Sequence, residues 1–486
     1  AQKNLNFEKG IAGWIPIGNA KYISTDKKEA KNGNYCARIG EGFSGLMQKI
    51  IVLPFSIVFY NGYLKSSSPA IKGYSFIRFY DLHNKLLLEY KSKAVTSITY
   101  EKSGNYTEAP PFTSYLGFGV MKDSSDRGFI YADDFEIQTK VGEPVTRHKT
   151  QCNIEEYMRP FWKSDTIFNE TLLLYSVNGQ PASGTLLFEP EKIVSVESYN
   201  LKRSFTNGRD YVSNGNIIVR TGNSGMPFRT DTSFDRKNNL AWYDVQSQWV
   251  VVNYIHKDKW QGPVPEYKGD RMPGTMHKLL SKQPLKIAAY GMSITRGMDV
   301  SGYDTIAPYM PTYLDLFATQ LRKIYSNNRI KLYNAGLPGS TVSWGEKYVD
   351  DYINPLKPDL VILDFGMNDF WSTTPDQFEK SILEIINKIK IKNPQTEFIL
   401  LSNLKYDPDY IVGSDKNKNI YDANMDGYNI RLKGLEAKGI VNLDMTTLSE
   451  FIYSHKKAKD CIANPMHPND YMARWYAQGL VQLLSY

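Results

Sequence analysis

From residue 284 onward the chain alternates strand-like apolar runs with helical ones, and this rhythm constrains the fold more than any other feature. Leu285-Lys-Ile-Ala-Ala-Tyr290 reads as a strand, and after a loop Leu314, Phe317, Leu321 and Ile324 recur at spacings of three and four, on one helical face. Strands at 330–333, 359–364, 397–401 and 439–443 follow. Between them lie a polar helical stretch near Glu346 and a second amphipathic helix carrying Phe378, Ile382, Ile385 and Ile389. Strict alternation of this kind predicts a parallel sheet with helices on both faces, an α/β domain over residues 281–486.

The preceding residues follow a different pattern. Short alternating or apolar runs such as Ser56-Ile-Val-Phe-Tyr60 and Ser75-Phe-Ile-Arg-Phe-Tyr80 are separated by Gly, Asn, Ser and Pro clusters, as in an antiparallel sandwich. A polar, proline-containing stretch, 141–150, reads as a linker. Beyond it Thr171-Leu-Leu-Leu-Tyr175, Asn216-Ile-Ile-Val-Arg220 and Gln248-Trp-Val-Val-Val-Asn-Tyr254 again read as strands. The expected organisation is multidomain: one all-β sandwich over 1–145, a second over 146–280, then the α/β domain. A chain of 486 residues is long enough for three such domains.

Composition narrows the class. No run approaches the roughly 18 apolar residues of a membrane-spanning helix, so no membrane span is expected. The formal charge of +7 comes from lysines interleaved with Asp, Glu, Asn and Tyr, which reads as a mixed solvated surface rather than a nucleic-acid stripe. Cys36, Cys152 and Cys461 form no Cys-x-x-Cys pair, which argues against a disulfide scaffold or thiolate zinc site. The opening Ala1-Gln2-Lys3 reads as a processed terminus, from which a secreted or periplasmic location is expected.

In open α/β sheets, ligands bind beyond the carboxyl ends of the strands. Four stretches there carry chemistry-bearing residues: Gly291-Met-Ser293-Ile-Thr295, Asn334-Ala-Gly336-Leu-Pro-Gly339-Ser-Thr341, Gly366-Met-Asn368-Asp369 and Asn464-Pro-Met-His467-Pro-Asn-Asp470. In this order they resemble the SGNH (GDSL-type) hydrolase superfamily. The resemblance spans roughly 284–486 and implies a flavodoxin-like hydrolase domain. Acyl transfer needs a hydroxyl nucleophile, a base for its proton and donors for the oxygen that becomes negative. The resemblance assigns Ser293 as nucleophile, His467 as base, and the Ser293 and Gly339 amides with the Asn368 side chain as the oxyanion hole.

Two positions depart from the family pattern. Met292 stands where the family usually has Asp, and Asn464 where it usually has an Asp three residues before the histidine. A Ser-His dyad steered by a backbone carbonyl or by the Asn464 amide oxygen is the expected arrangement. Asp460 and Asp470 are the alternative replacements for that acid, although both read more simply as solvated loop residues. Trp344 and Trp371 flank the oxyanion loops and are candidates for lining an acyl or sugar pocket.

The opening Asn6-Phe7-Glu8-x-Gly10 with Trp14, and the closing stretch 130–137, resemble the first and last strands of jelly-roll carbohydrate-binding modules. That resemblance implies that the two ends meet and that a structural calcium sits between Glu8 and Asp134. No cofactor is expected for catalysis, since the six histidines lack the paired spacing of a catalytic zinc site. The combined expectation is a carbohydrate esterase removing O-acetyl groups from a polysaccharide. An esterase or lipase on other esters, or a glycan-binding protein with an impaired hydrolase domain, are the other readings.

Overall fold

The computed structural model describes residues 4–485 apart from 41, 53–55, 82–83, 111–112, 114, 124–126, 142–147, 231–244, 305 and 409–416. The chain forms two compact units, Ala1–Glu143 and Pro144–Tyr486. Most of the expected 141–150 linker lies outside the described residues.

In the first unit two five-stranded antiparallel sheets face each other. One runs in the order Ile15–Gly18, Ser44–Ile51, Tyr115–Lys122, Gly73–Tyr80, Leu86–Lys91. The other runs Ile23–Asp26, Cys36–Ile39, Ile130–Val141, Ser56–Ser66, Glu101–Glu108. Alternation along Ser56–Ser66 turns Val58, Tyr60 and Leu64 inward, where they join Leu46, Ile77 and Phe118 of the opposite sheet in one core. The two ends meet as the resemblance implies. The Phe135 amide donates to the Leu5 carbonyl at 3.0 Å, and Trp14 packs against both Phe7 and Phe135.

The second β region does form, yet it is not a separate domain. A four-stranded sheet (Thr166–Leu173, Trp249–His256, Pro190–Ser198, Ser204–Phe205) accompanies a five-stranded sheet built from strands of two to four residues. Strands so short bury little on their own, and the expected boundary at 280 gives way to a single unit with the α/β region. Buried polar contacts explain the union. The Lys456 ammonium lies 2.5 Å from the Glu170 carboxylate with neither side chain exposed, the Leu173 amide donates to Asp460, and Arg474 donates to the Asn169 carbonyl. Phe161 also packs on Trp475 at 4.5 Å.

The parallel sheet matches expectation. Its strands, numbered within this sheet, are β1 Leu285–Gly291, β2 Ile330–Gly336, β3 Leu360–Asp364, β4 Glu397–Ser402 and β5 Ile440–Asp444, arranged β2-β1-β3-β4-β5. Every residue of β3 is buried, as a strand covered on both faces requires. Flanking helices include Tyr313–Ile324, Val342–Tyr352, Pro375–Lys392 and Asp470–Leu484. Leu314, Phe317 and Leu321 face the core, whereas Ile324, also expected there, is 47% exposed at its helix end. Strand order reverses direction at β1, and the crevice at such a switch point is where ligands bind.

Candidate active site

Ser293 opens a one-turn helix, Ser293–Arg296, directly after β1. Gly297 ends that turn at φ +88°, a left-handed conformation that favours glycine. Despite Met292 the sharp turn forms, because Thr295 supplies the polar anchor. The Met292 amide donates to Thr295 Oγ1 at 2.9 Å, and that hydroxyl donates to Asp364 Oδ2 at 2.7 Å. Asp364 also accepts from Tyr313 at 2.8 Å and Asn403 at 2.6 Å, and burial pushes its carboxyl up to about 6. Met292 itself is fully buried, with its sulfur 3.8 Å from the Asn368 amide nitrogen.

The expected pair comes together. His467 Nε2 lies 2.8 Å from Ser293 Oγ. The group that holds the imidazole differs from expectation: His467 Nδ1 lies 2.6 Å from Asp299 Oδ2. A carboxylate only accepts, so Nδ1 carries the proton and Nε2 is left to accept from the serine. Asn464 does not present its amide oxygen to the ring. That oxygen accepts the Met466 and His467 amides at 2.8 and 2.9 Å, so the nitrogen is the end that faces the site, and it donates to Asp299 Oδ2 at 2.7 Å.

Asp299 is not marked by the family spacing, which places the acid upstream of the histidine. It lies six residues after the serine, on the loop that leaves the nucleophile turn. The visible signal was an acid just beyond the helix-ending Gly297. Its loop is tied to the histidine segment by Asp470, which accepts the Ser301 amide at 2.7 Å and the Ser301 hydroxyl at 2.6 Å. Asp470 is therefore buried, not solvated, and its carboxyl is pushed up to about 6. Asp460 is likewise buried and accepts the Leu173 amide. Neither reaches the imidazole as a replacement acid.

The three oxyanion candidates sit on loops after β1, β2 and β3. These loops are stitched together: Ser340 Oγ donates to the Gly291 carbonyl at 2.9 Å, and Asn368 Nδ2 donates to the Ser340 carbonyl at 2.9 Å. Asp369 adds a clamp by accepting the amides of Val342 and Gly366, and burial raises its carboxyl to about 6. Gly339 has φ +80° with open space where a Cβ would project, so conformation, not crowding, calls for glycine there. Crowding applies at Gly336, whose Cβ would meet the Arg296 nitrogen at 2.5 Å.

The remaining candidates make contacts of their own. Half-buried Trp344 packs on Tyr348, and half-buried Trp371 packs on Phe370 and Tyr421. In the first unit Glu8 accepts the Asn34 and Tyr35 amides, while Asp134 is met by the Lys31 ammonium at 3.1 Å. Both carboxylates thus converge on the segment 31–35, which they hold through N–H donors. Among the described residues no group of three or more His, Cys, Asp or Glu side chains is set to hold a metal.

A parallel β2-β1-β3-β4-β5 sheet with a serine, histidine and aspartate in hydrogen-bond series at its switch point defines an SGNH-type hydrolase fold. Residues 289–475 match the model of the GDSL-like Lipase/Acylhydrolase family, so this part of the chain is a GDSL-like acylhydrolase domain, that of a carboxylic ester hydrolase. Similar solved structures include a putative GDSL-like lipase from Parabacteroides merdae, at 17% identity over 45% of this chain and 100% of that one, with a TM-score of 0.33. Another is a catalytic mutant of an acetylxylan esterase from Geobacillus stearothermophilus, at 18% identity over 42% and 94%, with a TM-score of 0.34. A family 16 carbohydrate-binding module is similar at 19% identity over 28% and 96%, with a TM-score of 0.24. No curated protein matches the chain. Among the described residues no helix is long and apolar enough to cross a membrane.

Proposed function

We propose that the protein is a serine esterase that removes short acyl groups, chiefly O-acetyl, from a polysaccharide outside the cytoplasm. The observation that carries the reaction is the relay Ser293–His467–Asp299, at 2.8 and 2.6 Å. In this reading His467 Nε2 takes the Ser293 proton as Oγ attacks the ester carbonyl, and Asp299 stabilises the imidazolium that forms. The Ser293 and Gly339 amides and the Asn368 side chain stabilise the oxyanion. Collapse of the tetrahedral intermediate expels the sugar hydroxyl, which takes its proton from His467. Water, deprotonated by the same imidazole, then releases acetate from the acyl-serine.

The substrate class is supported by the first unit. Phe59 and Tyr106 stand opposite each other on adjacent strands of the sandwich's outer face, 37% and 49% exposed. Exposed aromatic rings in such a pair offer an apolar face on which a sugar ring can stack. A glycan-holding unit on the same chain raises the effective concentration of the polymer at the serine. The test is acetate release from a panel of acetylated polysaccharides, run beside Ser293→Ala. Release abolished in the variant supports the reading. Polysaccharide binding without any acetate release overturns it.

A further inference from the structure

The second unit contains a cleft of 460 Å³ that the serine relay does not use. Tyr199, Asn200, Lys202 and Arg203, around the turn that leaves strand Pro190–Ser198, form one wall, and Gln246 and Ile306 form another. Lys202 and Arg203 are exposed, and neither side chain has a carboxylate partner among the described residues. Their turn is fixed, because Asn200 Oδ1 accepts the Lys202 amide at 3.2 Å and Ser198 Oγ accepts the Arg203 amide at 3.0 Å. Two cations without a carboxylate partner among the described residues thus stand beside amide groups at the cleft, the Arg203 guanidinium 5.7 Å from the Phe205 ring centroid. A guanidinium next to an ammonium in that setting matches a carboxylate flanked by hydroxyls.

The cleft also adjoins the relay. Gln246 Nε2 donates to Asp304 at 2.9 Å and lies 3.4 Å from the main-chain carbonyl of Asp299, the residue that holds His467. The Ile306 amide donates to the Ser301 carbonyl on the same loop. Asp304, the acid facing this wall, is turned to Gln246, which donates to its carboxylate and so separates it from the cleft.

We infer that this cleft is a subsite for an acidic sugar residue, a uronate carried by the same glycan whose ester is cleaved at Ser293. The inference rests on the proposed function for its geometry of use. Lys202 and Arg203 grip the carboxylate, the Asn200 and Gln246 amides face the ring hydroxyls, and the neighbouring acylated residue extends toward the relay.

The test measures binding of oligogalacturonic acid and of neutral xylooligosaccharide to the full chain carrying Ser293→Ala, with and without Lys202→Ala/Arg203→Ala. The expected result is at least tenfold weaker oligogalacturonate binding in the double variant, an affinity that falls with salt, and unchanged xylooligosaccharide binding. Lys202→Glu/Arg203→Glu should abolish oligogalacturonate binding at an unchanged melting temperature, since both side chains are exposed. Oligogalacturonate binding that is absent, or equal in all variants, overturns the subsite. Hydrolysis of p-nitrophenyl acetate by the wild type and its loss in Ser293→Ala report separately on the esterase reading.

Discussion

The Asp299 carboxylate and the Asn464 amide nitrogen lie 2.7 Å apart, and both stand against Nδ1 of His467, at 2.6 and 2.7 Å. The charge that the family usually carries three residues before the histidine has moved to the loop after the serine, and an amide fills the vacated place. Asp299→Asn should therefore lower kcat on p-nitrophenyl acetate on the order of 10³-fold or more, because the imidazolium loses its counter-charge and its tautomer is no longer enforced. Placing the charge back with Asn464→Asp in the same chain should recover at least tenfold, since the new carboxylate stands at the same ring nitrogen. Full activity in Asp299→Asn would show that the aspartate is a bystander.

Asn368 tests the oxyanion assignment. Its amide makes one strong hydrogen bond, to the Ser340 carbonyl, and its loop is held independently by Asp369. Asn368→Ala should lower kcat on the order of 10²-fold to 10³-fold while costing only about 1 kcal/mol of stability. The discriminating measurement pairs single-turnover acylation rates with urea unfolding. A variant that acylates at the wild-type rate would remove Asn368 from the hole.

Much of this architecture was legible in the sequence because periodicity reports burial directly. Phe378, Ile382, Ile385 and Ile389 announce a buried helix face, and all four are buried. The Ser293–His467 pair was legible because Ser293 sits in a glycine-flanked loop at a strand end and His467 in a proline-flanked stretch just before the last helix. Asp299 was not, since nothing in local spacing records that a loop folds back onto a histidine 168 residues away. The fusion of the second β region with the hydrolase was hidden for the same reason. Lys456 and Glu170 lie 286 residues apart, and only the fold buries them together.

Gly336 and Gly339 should respond very unequally to one added methyl group. At Gly339 the Cβ meets nothing, and only the left-handed backbone opposes it, which costs about 1 kcal/mol. At Gly336 the Cβ would sit 2.5 Å from the Arg296 nitrogen and 2.7 Å from the Met292 carbonyl oxygen, both main-chain atoms of the nucleophile turn. Gly336→Ala should therefore displace Ser293 and lower both stability and activity far more than Gly339→Ala. Thermal melting with parallel esterase assays would show it, and equal damage at both positions would mean that the turn yields readily.

Asp364 makes stability depend on pH in a defined direction. Burial raises its carboxyl to about 6, so between pH 4 and 6 the folded chain holds a proton that the unfolded chain has released. Its stabilising contribution is full below about pH 4 and is lost as pH rises through 6. Asp364→Asn removes this titration with little disturbance to bonding. Its Oδ1 can accept from Thr295 and Tyr313, and its Nδ2 can donate to Asn403, whose buried Oδ1 has no partner, once that amide turns over. Relative to wild type, the variant should gain about 3 kcal/mol between pH 4 and 7.5, the free energy of a shift of roughly two units. Urea unfolding of both proteins at the two pH values gives the difference directly, and a difference that stays constant would mean that Asp364 is already ionised in the fold at pH 4.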